Sequence, residues 1–271
     1  MDTSAFMFAF ALTLAAGLST GIGSVLVFFT KNDNTKFLSV ALGFSAGVMI
    51  YVSMVEIYQK AREALGQVLG PSAGDWATAG AFFAGMFLIA LIDRLVPAEE
   101  NPHEPHRVGE IREASSRPVD STKLMRMGML TALAIAIHNF PEGLATFTMA
   151  IKDPGLGIAI AFAIAIHNIP EGIAVSVPVY YATGNRHKAF WLSFLSGLSE
   201  PVGALVGYLI LFSFFNDMVF GVLFALVAGI MVFISLDELL PMAREYGEAH
   251  LAIYGLMGGM IVIAVSLLLF I

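Results

Sequence analysis

A chain of 271 residues that is 58% hydrophobic and only 13% charged has too little polar surface to enclose its core in water, so a soluble globular domain is excluded and lipid is its natural solvent. The absence of cysteine excludes disulfides, thiolate metal sites and cysteine nucleophiles. The net charge of -7, with no basic face, excludes nucleic acid as a partner.

A membrane-spanning helix needs about 20 apolar residues. Runs of that kind lie near 4–30, 37–60, 76–97, 123–151, 156–182, 188–215, 218–241 and 250–271. The first follows Asp2 rather than a basic segment and is too long for the apolar core of a signal peptide, so it is read as a retained span. The expectation is a single all-α domain over 1–271, a polytopic membrane protein with eight transmembrane helices arranged as an inverted-repeat transporter bundle.

Orientation follows from the basic residues. The connections after the first, third, fifth and seventh runs hold Lys31, Lys36, Arg94, Arg107, Arg112, Arg117, Lys123, Arg126, Arg186, Lys188 and Arg244. The other side has Lys60, Arg62 and Lys152. The positive-inside rule then makes the first set cytoplasmic and turns both termini outward, to the extracellular or periplasmic side. The long connection, 98–122, is rich in proline and charge and poor in aliphatics, as suits a cytoplasmic loop with no core of its own. Within it His103 and His106 have the spacing of a loose metal-binding pair.

The fourth run contains AIAIHNFPEGLA (134–145), and the fifth repeats it as AIAIHNIPEGIA (163–174). On a helix His138 and Glu142 lie one turn apart on one face, while Asn139 and Glu142 are three apart and also neighbours. His167, Asn168 and Glu171 repeat the pattern. Consecutive helices joined by a short loop run antiparallel, so if the two motif faces meet, both copies converge at mid-membrane. Two bridging carboxylates flanked by imidazoles and amides can form a two-metal centre. Pro141 and Pro170 remove N–H groups, leaving the carbonyls of Ile137 and Ile166 without helical partners. In lipid such carbonyls need a cation, a water or another donor. The sixth run adds Glu200 before Pro201 in GLSEPVGA.

An ionised side chain at mid-bilayer costs about 2.5 to 3.5 kcal/mol on insertion scales. A repeated constellation of that cost points to a bound ion rather than to helix packing. Imidazole, carboxylate and amide oxygen suit Zn2+, Fe2+, Mn2+, Co2+ or Cd2+, whereas Cu+ would favour thiolate or convergent thioethers.

HNFPEG and HNIPEG in consecutive spans, followed by SEP in the next, resemble the ZIP (ZRT/IRT-like) divalent-metal transporters, especially their bacterial branch. The resemblance extends to the eight-span plan, the outward termini and the cytoplasmic loop. It implies metal import into the cytoplasm through a binuclear site. His138, Glu142, His167 and Glu171 match one metal position; Asn139, Glu142, Asn168, Glu171 and Glu200 match the second. Some members have aspartate at the place of Asn168, so the second position here carries less negative charge. The resemblance also implies an exit route along Asp93, Asp237, Glu238 and the loop histidines. From the residues themselves, Ser53 and Glu56 share a helix face at the outer end of the second run, as a possible entrance.

The reading is therefore a multi-pass transporter of the cell membrane, working without ATP, since no P-loop string occurs. The divalent metal is its substrate and no cofactor is implied. A metal-selective channel with the same site is the alternative. An intramembrane metallohydrolase fares worse, because zinc proteases use HExxH and asparagine cannot replace that glutamate base. Gly255, Gly258 and Gly259 suit close helix approach, either in a homodimer or within one protomer.

Overall fold

The structure is a computed structural model that describes residues 3–26, 35–95, 121–211, 216–246 and 249–270. Its elements are α1 (Thr3–Leu26), α2 (Thr35–Val52), α3 (Tyr58–Leu69), α4 (Pro71–Leu95), α5 (Ser121–Lys152) and α6 (Pro154–Thr183). They continue with α7 (Arg186–Gly197), α8 (Ser199–Leu211), α9 (Asp217–Ile234), α10 (Leu240–Tyr246) and α11 (Ala249–Phe270). No strand occurs among the described residues.

Among the described residues seven helical stretches are long and apolar enough to cross a membrane: Thr3–Val25, Ser39–Leu69, Pro71–Ile92, Pro154–Ile173, Arg186–Ile210, Asp217–Leu239 and His250–Leu269. The expected fourth span, α5, has 32 residues, ample length at about 1.5 Å per residue, but is not among the seven. Besides the polar motif that it shares with α6, it carries Lys123, Arg126, Thr131, Thr146 and Thr148, which lower its apolar character further.

Local chemistry explains where the chain turns. Asp153 caps α6, accepting a hydrogen bond from the Leu156 N–H at 3.1 Å, and Pro154 starts the helix without an orphaned donor. Asn185 caps α7 through the Lys188 N–H, and Asn216 caps α9 through the Val219 N–H. Gly184 closes α6 at φ 63°, a left-handed position that suits glycine.

Two expected boundaries move. The second span does not end near 60 but stays helical to Leu69. The sequence KAREALGQVL looked like a polar connection, yet Ala61, Ala64 and Leu65 form a buried stripe, with Ala61 and Leu65 packed at Gly221 of α9. The sixth span is interrupted at Leu198, just before Ser199, Glu200 and Pro201 open α8.

Two further irregularities are paired in sequence. The α2–α3 junction, Ser53–Ile57, and the α9–α10 junction, Ser235–Leu239, are single π-helical turns. In each, a backbone N–H reaches five residues back: Tyr58 to the Ser53 carbonyl and Leu240 to the Ser235 carbonyl. Aligning them exposes a repeat, VSMVEIYQKARE (52–63) against ISLDELLPMARE (234–245). A second repeat aligns GLSTGIGSVL (17–26) with GLSEPVGALV (197–206).

Packing divides the helices into two groups. In one, α1 packs on α5, α6 and α7, while α5 also packs on α6 and α8. In the other, α2 packs on α11 and α10, and α9 packs on α3 and α4. The groups meet chiefly where α2 faces α6. The largest buried cluster bridges this boundary, with Leu42 and Met49 of α2, Met149 of α5, Ile160 and Ile164 of α6, and Phe224 and Met231 of α9.

Main-chain contacts hold the first group together. A Cβ on Gly143 would strike the Glu200 carbonyl, and one on Gly203 would strike the Phe140 carbonyl. Likewise Gly172 lies against the Thr20 carbonyl and Gly23 against the Ile169 carbonyl. The seam between α5 and α8 is thus built as the seam between α6 and α1. Gly255 and Gly259 serve packing within the protomer, against the Val40 and Phe44 carbonyls of α2.

Candidate metal site

Both copies of the repeated string lie mid-helix, on α5 and α6, and the described polar side chains among them are enclosed. Asn139, His167, Asn168, Glu171 and Glu200 are 0% exposed and Glu142 is 1% exposed. The glycine of each string sets the depth: Gly143 brings α5 onto the backbone at Glu200, and Gly172 brings α6 onto α1.

The copies are cross-linked to each other. Nε2 of His167 lies 3.2 Å from Oε2 of Glu142. The spacing on one helix pairs Glu142 with His138, but the contact described runs to the histidine of the other copy. Beside it, the Asn168 amide donates to a Glu200 carboxylate oxygen and, at 2.9 Å, to the Ala16 carbonyl of α1. Ser45 of α2 donates to the His167 carbonyl at 3.4 Å, bringing the second helix group to the site. Glu142 and Glu171 both lie within electrostatic reach of Glu200.

Several polar atoms at this centre have no hydrogen-bond partner among the described residues: Oδ1 and Nδ2 of Asn139, Oε1 of Glu142, Oδ1 of Asn168 and Oε2 of Glu200. Lys and Arg ion pairs lie elsewhere, for example between Lys60 and Glu63, Arg62 and Asp75, and Lys152 and Asp217. Buried carboxylates need cations, protons or donors. Acceptor oxygens and an imidazole are the donor set that a divalent first-row cation accepts. No three His, Asp or Glu side chains among the described residues are gathered closely enough to hold a metal as they stand. The backbone of His138 stands one turn before Glu142 on α5, but its side chain lies outside the described residues.

The remaining expected positions are more dispersed. Ser53 is buried and Glu56 half-buried, both on the first π turn. Asp237 is exposed and Glu238 buried on the second. Asp93 belongs to the last turn of α4, with its side chain outside the described residues, as are His103 and His106 altogether. His187 and His250 are exposed near helix starts. Reading the motifs alone missed Ser45, the Ala16 carbonyl and Thr20. The repeat of GLSEPVG in GLSTGIG was the signal that would have drawn attention to α1.

Apolar helices of spanning length, enclosing carboxylates, amides and an imidazole between them, define a multi-pass membrane protein. The chain belongs to the ZIP zinc transporter family, whose model matches residues 97–267. That is a family of transporters rather than enzymes, with zinc as transported substrate and not as cofactor. Curated relatives named zinc transporter ZupT are similar over nearly the whole chain. The protein from Clostridium perfringens is 62% identical, covering 98% of this chain and 96% of the relative. That from Lysinibacillus sphaericus is 64% identical, covering 97% of each. That from Chlorobaculum parvum is 63% identical, covering 99% of each.

Proposed function

We propose that this chain is an ATP-independent transporter that imports divalent metal ions, Zn2+ first and Fe2+, Mn2+, Co2+ and Cd2+ as further substrates, across the cell membrane into the cytoplasm. The observation that carries this reading is the buried contact of Glu142 with His167, made between the two copies of one motif and flanked by Asn168 and Glu200. The kinship with zinc transporters named ZupT supports zinc as the main cargo.

In this reading eight helices span the bilayer as an inverted repeat, α5 included, with both termini outside. The metal enters past Ser53 and Glu56 and sheds part of its water. His138, Glu142, His167 and Glu171 hold it at one position, and Asn139, Glu142, Asn168, Glu171 and Glu200 at an adjoining one. The two carboxylates shared between positions make the centre binuclear. The group containing α1, α5, α6 and α8 then shifts against the group containing α2, α4, α9 and α11, exposing the site to the cytoplasm in alternating access. Asp93, Asp237, Glu238, His103 and His106 line the exit. The whole chain forms one transporter domain, and two copies assemble as a homodimer in the bilayer.

Zinc uptake into proteoliposomes tests the reading, comparing wild type with the folded double variant Glu142→Ala, Glu171→Ala. Saturable uptake lost in the variant is the expected result. Equal uptake by both would sink the shared-carboxylate site.

A further inference from the structure

Thr20 of α1 is buried at 0% exposure, and its hydroxyl has no hydrogen-bond partner among the described residues. Among the described residues Ser53 and Ser266 share this state, but most buried helical hydroxyls do not. Thr13, Ser24, Thr78, Thr146, Ser176, Thr183 and Ser235 each donate to the carbonyl four residues back. The equivalent acceptor for Thr20 is the Ala16 carbonyl. That oxygen is already occupied by the Asn168 amide at 2.9 Å and the Ser19 hydroxyl at 2.6 Å. The customary acceptor of this hydroxyl is thus bound by the same asparagine that holds Glu200.

The position of Thr20 gives this meaning. In the repeat GLSTGIGSVL against GLSEPVGALV, Thr20 aligns with Glu200. The packing obeys the same alignment. A Cβ on Gly17 would meet the Gly197 carbonyl and lie 3.4 Å from the Glu200 Cβ; a Cβ on Gly197 would meet the Gly17 carbonyl and lie 2.7 Å from the Thr20 Cβ. Gly143 meets the Glu200 carbonyl as Gly172 meets the Thr20 carbonyl, and Gly203 meets Phe140 as Gly23 meets Ile169. The correspondence that exchanges these contacts also exchanges the two motif copies, carrying the Asn168–Glu200 pair onto Asn139 and Thr20. Both polar atoms of Asn139 are likewise buried without a partner among the described residues.

We propose that Thr20 is a cation-contacting residue, its hydroxyl and the Asn139 amide oxygen forming an uncharged counterpart of the Glu200–Asn168 pair. This rests on the transport reading above. A divalent cation exchanges water for neutral oxygens at Thr20 and for a carboxylate oxygen at Glu200, so the centre has one weakly and one strongly attracting end. The neutral end favours partial dehydration without tight retention.

The test replaces Thr20 by valine, which keeps the shape without the hydroxyl, by serine, which keeps the hydroxyl, and by cysteine. In proteoliposomes Thr20→Val should raise KM for Zn2+ about tenfold, the effect of losing one oxygen contact to a cation, and Thr20→Ser should stay within about threefold. Thr20→Cys supplies the sole thiol of the chain, since the sequence has no cysteine. Adding Cd2+ to that purified variant should produce thiolate-to-cadmium charge-transfer absorption that wild type lacks. The cysteine measurement stands alone if the valine variant does not fold. Unchanged KM in folded Thr20→Val, equal losses in the valine and serine variants, or no charge-transfer absorption overturns the proposal. If Glu142→Ala, Glu171→Ala abolishes uptake in the same assay, such a failure belongs to Thr20 alone; if it does not, the transport site itself is wrong.

Discussion

His167 and Glu142 lie on different helices and in different copies of one motif, yet Nε2 and Oε2 are 3.2 Å apart with both side chains fully enclosed. In the transport reading proposed above, the two copies act on one cation as a unit, and each residue's contribution depends on the other. His167→Ala and Glu142→Ala should each reduce zinc uptake by at least about tenfold, and the double variant should lose clearly less than the sum of the two losses in free energy. A double-mutant cycle on uptake KM checks this, and strict additivity would contradict the coupling.

Asn168→Asp should turn a donor into a like charge against Glu200, since the asparagine amide donates to that carboxylate. The metal-free variant should lose about 1–3 kcal/mol of stability, while Zn2+ should raise its unfolding temperature more than it raises that of wild type. Thermal unfolding in detergent, with and without Zn2+, measures both effects.

Gly143→Val or Gly172→Val should disrupt the seams directly, because a Cβ at either position would strike a carbonyl of the facing helix. Overpacking costs about 1–3 kcal/mol and more where backbone is the obstacle, so both variants should fall in unfolding temperature. Gly80→Ala, with no atom within 4 Å of the added carbon, should be nearly neutral or slightly stabilising by helix propensity.

Lys152 of α5 pairs with Asp217 of α9 at 2.8 Å and lies 3.9 Å from the Phe220 ring centre, joining the two helix groups. Both charged side chains are about half exposed, so removing the pair should change stability by about 1 kcal/mol or less. Bridging Lys152→Cys to Asp217→Cys with a bifunctional, cleavable thiol reagent should arrest uptake, and cleaving the bridge should restore it. Undiminished uptake across an intact bridge would show that these ends need not separate.

The helical architecture and the paired strings were legible because apolar length and the repetition of HN-x-PEG survive translation into sequence without a partner being known. What escaped reading arises between helices. Nothing local to Glu142 says that it meets His167 of the other copy; that is decided by the approach of α5 and α6. Ala61, Ala64 and Leu65 looked like part of a polar connector because their burial depends on α9. Thr20 is an ordinary threonine until the carbonyl of Ala16 is seen to be taken by Asn168. The π turns were equally hidden, since SMVEI and SLDEL are unremarkable as helical pentapeptides.

The glycine seams have a consequence for how metal preference can be altered. Gly143, Gly172, Gly23 and Gly203 meet main chain, which cannot step aside for a larger residue. Such positions are mechanically fixed and closed to tuning. Thr20, Ser45 and Asn168 instead contribute side-chain atoms from α1, α2 and α6, where a change of functional group alters a hydrogen bond or an unpartnered hydroxyl without forcing a carbon onto the facing main chain. A library restricted to those three codons would vary ligand chemistry on an unaltered scaffold, and is the economical place to seek variants that discriminate among neighbouring divalent ions.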